Sequence, residues 1–193
     1  MGGLPFGGDD WTMEENLAKI AEGGFDGVEF LMEDKADQDL VVPLCDKYNL
    51  KRSNVVFPWT AAKFATTSPR PKTAAPHILT CSPYPSHAPS TNRSPIWYAA
   101  MDMAADADFK LFFETHRDRT TTDMYYTLDL IDAVPELQLC GDLSHFLVGR
   151  EFAGLPISET NQKYVEQIVK RCGGFHGRIG FPPSASAPAR TRL

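Results

Sequence analysis

Glu114, Asp142 and His176 are the side chains on which a chemistry can be built. Each closes a short apolar or glycine-rich run: Leu111-Phe112-Phe113 before Glu114, Leu137 to Gly141 before Asp142, and Gly174-Phe175 before His176. Three consecutive large apolar residues read as a strand buried on both faces, which puts the carboxylate that stops it at the strand's carboxyl end. Parallel α/β sheets keep their sites at that end. The three residues lie 28 and 34 positions apart, each about one strand-helix-strand repeat of ~30 residues. Neighbouring parallel strands therefore aim all three at one point. Two carboxylates and an imidazole converging there make a divalent-cation site, and this oxygen-rich set suits Mn²⁺, Mg²⁺, Co²⁺ or Zn²⁺.

Taken singly, each residue has a plainer reading. Glu114 could pair with Arg117, Arg119 or Arg178, Asp142 could cap a following helix, and His176 could be a satisfied interior histidine. Their joint placement favours the cation. His145, three residues after Asp142, reaches the same cavity if the chain turns there, to bind a substrate hydroxyl, ligate a second cation or orient Asp142. His116 shares Glu114's side of an extended chain but falls where the strand gives way to a loop. Glu29 stands near the end of an earlier strand, facing either the site or solvent. His77 and His87, in a proline-rich stretch, are incidental.

The elements that must position these residues alternate. Thr12 and Glu15 form a capping box ahead of Leu17, Ile20 and Ala21, and Gly23-Gly24 ends that helix. Phe25 to Leu31 reads as a strand, 39–48 as a helix ending at Asn49, and 51–57 as a strand stopped by Pro58. A helix through Met101, Met103, Ala104 and Ala107 leads into the Phe112 strand. Another runs from 123 to 134, closed by Pro135, and a third from 161 to 172, closed by Gly173-Gly174. Such alternation argues for a parallel sheet. Met1 to Asp10 is a glycine-rich loop whose spacing matches no phosphate-binding loop.

Two segments break the pattern. Seven of the 15 prolines fall within 68–95, and no Asp or Glu occurs between Asp46 and Asp102. Neither a helix nor a central strand tolerates prolines so dense, so 68–95 reads as an irregular insertion. The tail 180–193 has the same bias. Both segments fit a shifted reading frame or retained non-coding sequence, with a genuine proline-rich linker as the alternative.

With 193 residues, 42% hydrophobic and 23% charged, the chain reads as a single domain over 1–193. A net charge of −6 and a pI near 5.3 disfavour nucleic acid as a partner and suit a small molecule. No run approaches the ~20 apolar residues that cross a bilayer, and no basic-then-apolar leader opens the chain, so a soluble, cytoplasmic protein is expected. Cys45, Cys81, Cys140 and Cys172 show no close pairing and read as free thiols.

The stretches Phe113-Glu114-Thr115-His116-Arg117, Gly141-Asp142-Leu143-Ser144-His145, Phe175-His176-Gly177-Arg178 and Gly24-Phe25-Asp26-Gly27-Val28-Glu29 resemble the xylose-isomerase-like TIM-barrel superfamily of sugar isomerases, epimerases and apurinic endonucleases. The resemblance covers roughly 1–64 and 96–178. It implies a (β/α)₈ barrel that is incomplete here, with its first strand before Met1, its fourth inside the proline-rich region and its last missing. In the epimerase branch it implies that Glu114, Asp142 and His176 hold the metal, that Glu114 also moves a proton, and that His145 contacts substrate. It further implies a fourth ligand, a Glu on the last strand, yet no acidic residue follows Glu166.

The expected activity is a divalent-metal-dependent isomerisation or epimerisation of a sugar or related hydroxy-carbonyl compound. Glu114 and His145 are its catalytic candidates, with Glu29, His145 and Arg178 against substrate. The alternatives are an inactive truncated relative that binds only a cation or a partner, and an apurinic-endonuclease-like phosphodiesterase. An unclosed barrel also exposes strand edges that invite self-association into a homo-oligomer.

Overall fold

The computed structural model describes residues 11–31, 35–57, 78–81, 95–150 and 156–178. Six strands, β1 (Gly27–Phe30), β2 (Lys51–Val56), β3 (Ile78–Cys81), β4 (Lys110–Glu114), β5 (Leu139–Gly141) and β6 (Cys172–Phe175), form one sheet in the order β1-β2-β3-β4-β5-β6. Every neighbouring pair is parallel. A doubly wound sheet reverses its strand order at a switch point, whereas this one steps in a single direction. Right-handed crossovers then put the helices on one side, and the sheet curls away from them. The result is a half-barrel, a TIM-barrel-like fold with six strands among the described residues against the eight that close a barrel.

The helices are α1 (Met13–Glu22), α2 (Lys35–Lys47), α3 (Pro95–Ala107), α4 (Met124–Ala133), α5 (Ser144–Arg150) and α6 (Glu159–Val169). The expected capping box forms at α1, with Thr12 Oγ1 accepting from the Glu15 amide at 3.2 Å and Glu15 Oε2 from the Thr12 amide at 2.8 Å. Gly24 follows the helix at φ +77°, a turn that glycine makes without strain. Helix α2 starts at Lys35 rather than Asp39, and of the expected stripe Val41 and Cys45 are buried while Leu40 is exposed. Leu17 of α1, Val41 and Cys45 of α2, and Leu50 form one small core.

The larger core lies between the helices and the outer face of the sheet, where Trp97 and Ala100 of α3 meet Phe113, Leu139, Met124, Ile131, Phe146 and Ile168. Phe113 stacks edge-on against Trp97 with ring centroids 4.4 Å apart. Alternation then turns Phe112 and Glu114 inward.

Two readings are corrected. The segment 68–95 is not irregular throughout: Ile78–Cys81, proline-free between Pro76 and Pro83, is a central strand paired to β2 and β4. This is where the resemblance put the fourth barrel strand, and local proline density did not see it because four residues suffice for a buried strand. Residues 68–77 and 82–94, Met1 to Asp10 and the tail 180–193 lie outside the described residues. Gly173-Gly174 does not close a helix either. Helix α6 ends at Val169 and both glycines lie inside β6, because the inward Phe112 ring occupies the space a Cβ at Gly173 would need.

Gly27 carries a similar constraint, since a Cβ there would overlap the Lys51 carbonyl oxygen across the β1–β2 pair. Backbone cannot yield as a side chain can. Gly27→Ala is expected to lower stability by about 1–3 kcal/mol, read as a fall in the urea midpoint with an unchanged slope.

Candidate metal centre

The half-barrel brings the three predicted ligands together. Glu114 is the last residue of β4, Asp142 stands one past β5, and His176 one past β6. One ligand-type atom from each lies within 4.8 Å of the others, a group that forms among the described residues at the carboxyl end of the sheet. Glu114 is 3% exposed and Asp142 fully buried. Two carboxylates so enclosed need compensating positive charge.

Part of that charge comes from His176. Its Nδ1 is 2.7 Å from Glu114 Oε1 and its Nε2 is 2.9 Å from Glu29 Oε1. With a carboxylate at each ring nitrogen, both nitrogens donate and the ring is an imidazolium. Hydrogen bonding with Cys140, Glu114 and Glu29 pushes its pKa up to about 12. The rest comes from Arg178, whose Nε is 3.1 Å from Asp142 Oδ2. That oxygen is buried and accepts no hydrogen bond, while Oδ1 takes the Ser144 hydroxyl at 2.5 Å. A buried carboxylate oxygen aimed among other ligand atoms fits a cation, and the Glu, Asp and His set fits Mn²⁺, Mg²⁺, Co²⁺ or Zn²⁺.

The plainer readings of single residues are thereby sorted. Glu114 meets His176, whereas Arg119 reaches Asp118 and Arg178 reaches Asp142. Asp142 does precede a helix, and its carbonyl accepts from the His145 amide, but its carboxylate faces Ser144 and Arg178.

The other candidates also line this end of the sheet. His145 is 2% exposed, with Nε2 3.4 Å from Asp142 Oδ2 and 3.5 Å from Arg178 Nη2. Burial first, then the positive charge of His116, brings its pKa down to about 4. It is therefore a neutral imidazole at pH 7, able to donate at one nitrogen and accept at the other. Arg178 keeps half its side chain exposed. Glu29 faces inward, its Oε2 taking the Ser53 hydroxyl at 2.6 Å and the Thr80 hydroxyl at 3.3 Å. Burial pushes Glu29 up, but the bonds from His176, Ser53 and Thr80 outweigh it and hold the carboxyl below its ordinary range.

Sequence reading undervalued His116 and missed Ser53, Thr80 and Cys140. The His116 ring lies 4.1 Å from that of His145 and lines, with Glu29, Glu114, His176 and Arg178, a cavity of about 650 Å³. Ser53 is paired in register with Glu29, and Cys140 with Glu114. Ser53 stands among Lys51, Arg52 and Asn54 on β2, so its register with Glu29, not a local pattern, marks it. Thr80 was hidden in the segment set aside for its prolines.

A curled, singly wound parallel sheet with acidic and imidazole side chains gathered at its carboxyl end is a TIM-barrel-like arrangement. Among solved structures, the chain is similar to a D-tagatose 3-epimerase-like protein, with TM-score 0.54 and 15% identity over 85% of this chain and 70% of that one. It is also similar to the probable 3-DHS dehydratase AsbF involved in petrobactin synthesis in Bacillus anthracis, with TM-score 0.51 and 12% identity over 86% and 67% of the two chains. No protein-family model and no curated protein matches the sequence. Among the described residues, no helix is long and apolar enough to cross a membrane.

The imidazolium between two carboxylates has a direct consequence for loading. His176 must give up one proton to become a ligand, so protons and cation compete for it. Because its pKa is raised from 6.5 to about 12, affinity should increase about tenfold per pH unit across pH 6–8 from this group alone. Calorimetric titration of Zn²⁺ in buffers of different ionisation heat should report about one proton released per ion from His176.

Proposed function

We propose that the protein is a divalent-metal-dependent isomerase or epimerase of a sugar or related hydroxy-carbonyl compound, working in a soluble, cytoplasmic setting. The observation that carries this reading is the convergence of Glu114, Asp142 and His176 within 4.8 Å, two of them buried. The two structural neighbours, an epimerase-like protein and a probable dehydratase, lend it support. Glu114, Asp142 and His176 would hold the cation. When bound, it supplies positive charge against adjacent carbonyl and hydroxyl oxygens of the substrate and against the negative charge that develops when a carbon-bound proton leaves.

The remaining work belongs to the protein's own groups. Glu114 bonds His176 through Oε1 and can take and return a proton at its carboxylate. His145, neutral and buried, can accept from or donate to a substrate hydroxyl without adding charge. Arg178, half exposed beside Asp142, is placed to steady an anionic oxygen. The cavity of about 650 Å³ has the size of a small-molecule site.

A second reading, a relative that binds a cation without turnover, is favoured by one observation: Glu29, which lines the same cavity as Glu114, is taken up by His176, Ser53 and Thr80. The phosphodiesterase reading has less support. Among the described residues one group of side chains could hold an ion, and that chemistry needs several.

Incubation with Mn²⁺ and a panel of ketoses in ²H₂O is expected to place deuterium at the carbon next to the carbonyl. Glu114→Gln should cut the exchange rate by about 10²–10⁴-fold. A folded, metal-loaded sample that exchanges no substrate would favour cation binding alone.

A further inference from the structure

We infer that Glu29 is a positioning residue for the metal centre: it holds the Nε2 proton of His176 so that Nδ1 is the nitrogen presented to the cation. This rests on the reading of Glu114, Asp142 and His176 as ligands, and it replaces substrate contact as the role of Glu29. The two nitrogens of His176 have different neighbours. Nδ1 points at Glu114, 2.7 Å away, while Nε2 points at Glu29, 2.9 Å away on the other side of the ring. Glu29 stands outside the group of ligand atoms that Glu114 and Asp142 make with His176.

Its own placement is fixed by two other strands. Oε2 accepts from the Ser53 hydroxyl of β2 and the Thr80 hydroxyl of β3 at 2.6 and 3.3 Å, leaving Oε1 for the imidazole. A histidine ligand whose second nitrogen donates to a carboxylate is locked in one tautomer and one ring orientation, and becomes the more basic ligand. With Nε2 held as the protonated nitrogen by Glu29, Nδ1 would be the nitrogen left to hold a cation. The bond also joins β1 to the residue after β6, so the centre is assembled from both edges of the described sheet.

The test compares the full chain with Glu29→Ala, Glu29→Gln and Ser53→Ala. Zn²⁺ affinity is measured by competition with a chromophoric chelator, and the His176 tautomer by long-range ¹H–¹⁵N correlation of the loaded protein. The expected result is a wild-type ring ligated through Nδ1 and protonated at Nε2. Glu29→Ala should weaken Zn²⁺ by about 10–100-fold. Glu29→Gln, whose amide oxygen still accepts from Nε2, should keep the tautomer and lose less, and Ser53→Ala should show an intermediate loss. If Glu29→Ala fails to fold, Glu29→Gln and Ser53→Ala carry the comparison. Ligation through Nε2, or variants that bind as tightly as wild type, would overturn this inference alone. A wild-type chain that takes up no Zn²⁺ would overturn the ligand reading and this inference with it.

Discussion

The structure depends on how one imidazole is held between two carboxylates. Glu114 and Asp142 are removed from water at the carboxyl end of the sheet, and unpaired carboxylates there would be costly. His176 answers Glu114, Arg178 answers Asp142, and Glu29 takes the far side of the His176 ring. Since Glu29 belongs to β1 and His176 follows β6, the contact requires the two edges of the described sheet to bend toward each other. The curl of the sheet and the charge balance of the site are therefore one constraint.

The strands meet this constraint by dividing their faces. Outward positions such as Val56, Phe113 and Leu139 enter the apolar core beneath the helices. Inward positions carry Glu29, Ser53, Thr80, Phe112, Glu114 and Cys140, linked by register across the strands. Phe112 fills the interior below the polar ring, over the glycines of β6. A bulky apolar layer under a polar rim keeps the acids poorly solvated, which strengthens their hold on His176, Arg178 or a cation alike.

This arrangement also separates binding from turnover. Two carboxylates and one imidazole suffice to attract a divalent ion, whereas moving a proton between two faces of a carbon asks for acid–base groups on both. In the proposed reading Glu114 would be one such group. Glu29, the other carboxylate lining the same cavity, is engaged with His176, Ser53 and Thr80.

The sequence by itself determined the order of elements, the Thr12 cap, the strand ending at Glu114 and the identity of three ligand-type residues. These depend on neighbours a few positions away, where periodicity, capping chemistry and apolar runs act directly on the backbone. It could not show that Ile78–Cys81 forms a central strand, because four residues between prolines have no signal until β2 and β4 supply their hydrogen-bond partners. Nor could it show that Gly173-Gly174 makes room for Phe112, that His116 lies against His145, or that Glu29 turns inward. Those outcomes depend on which residues face each other across a curled sheet, a matter of register and curvature over 29 to 147 positions of chain, and only the tertiary structure decides it.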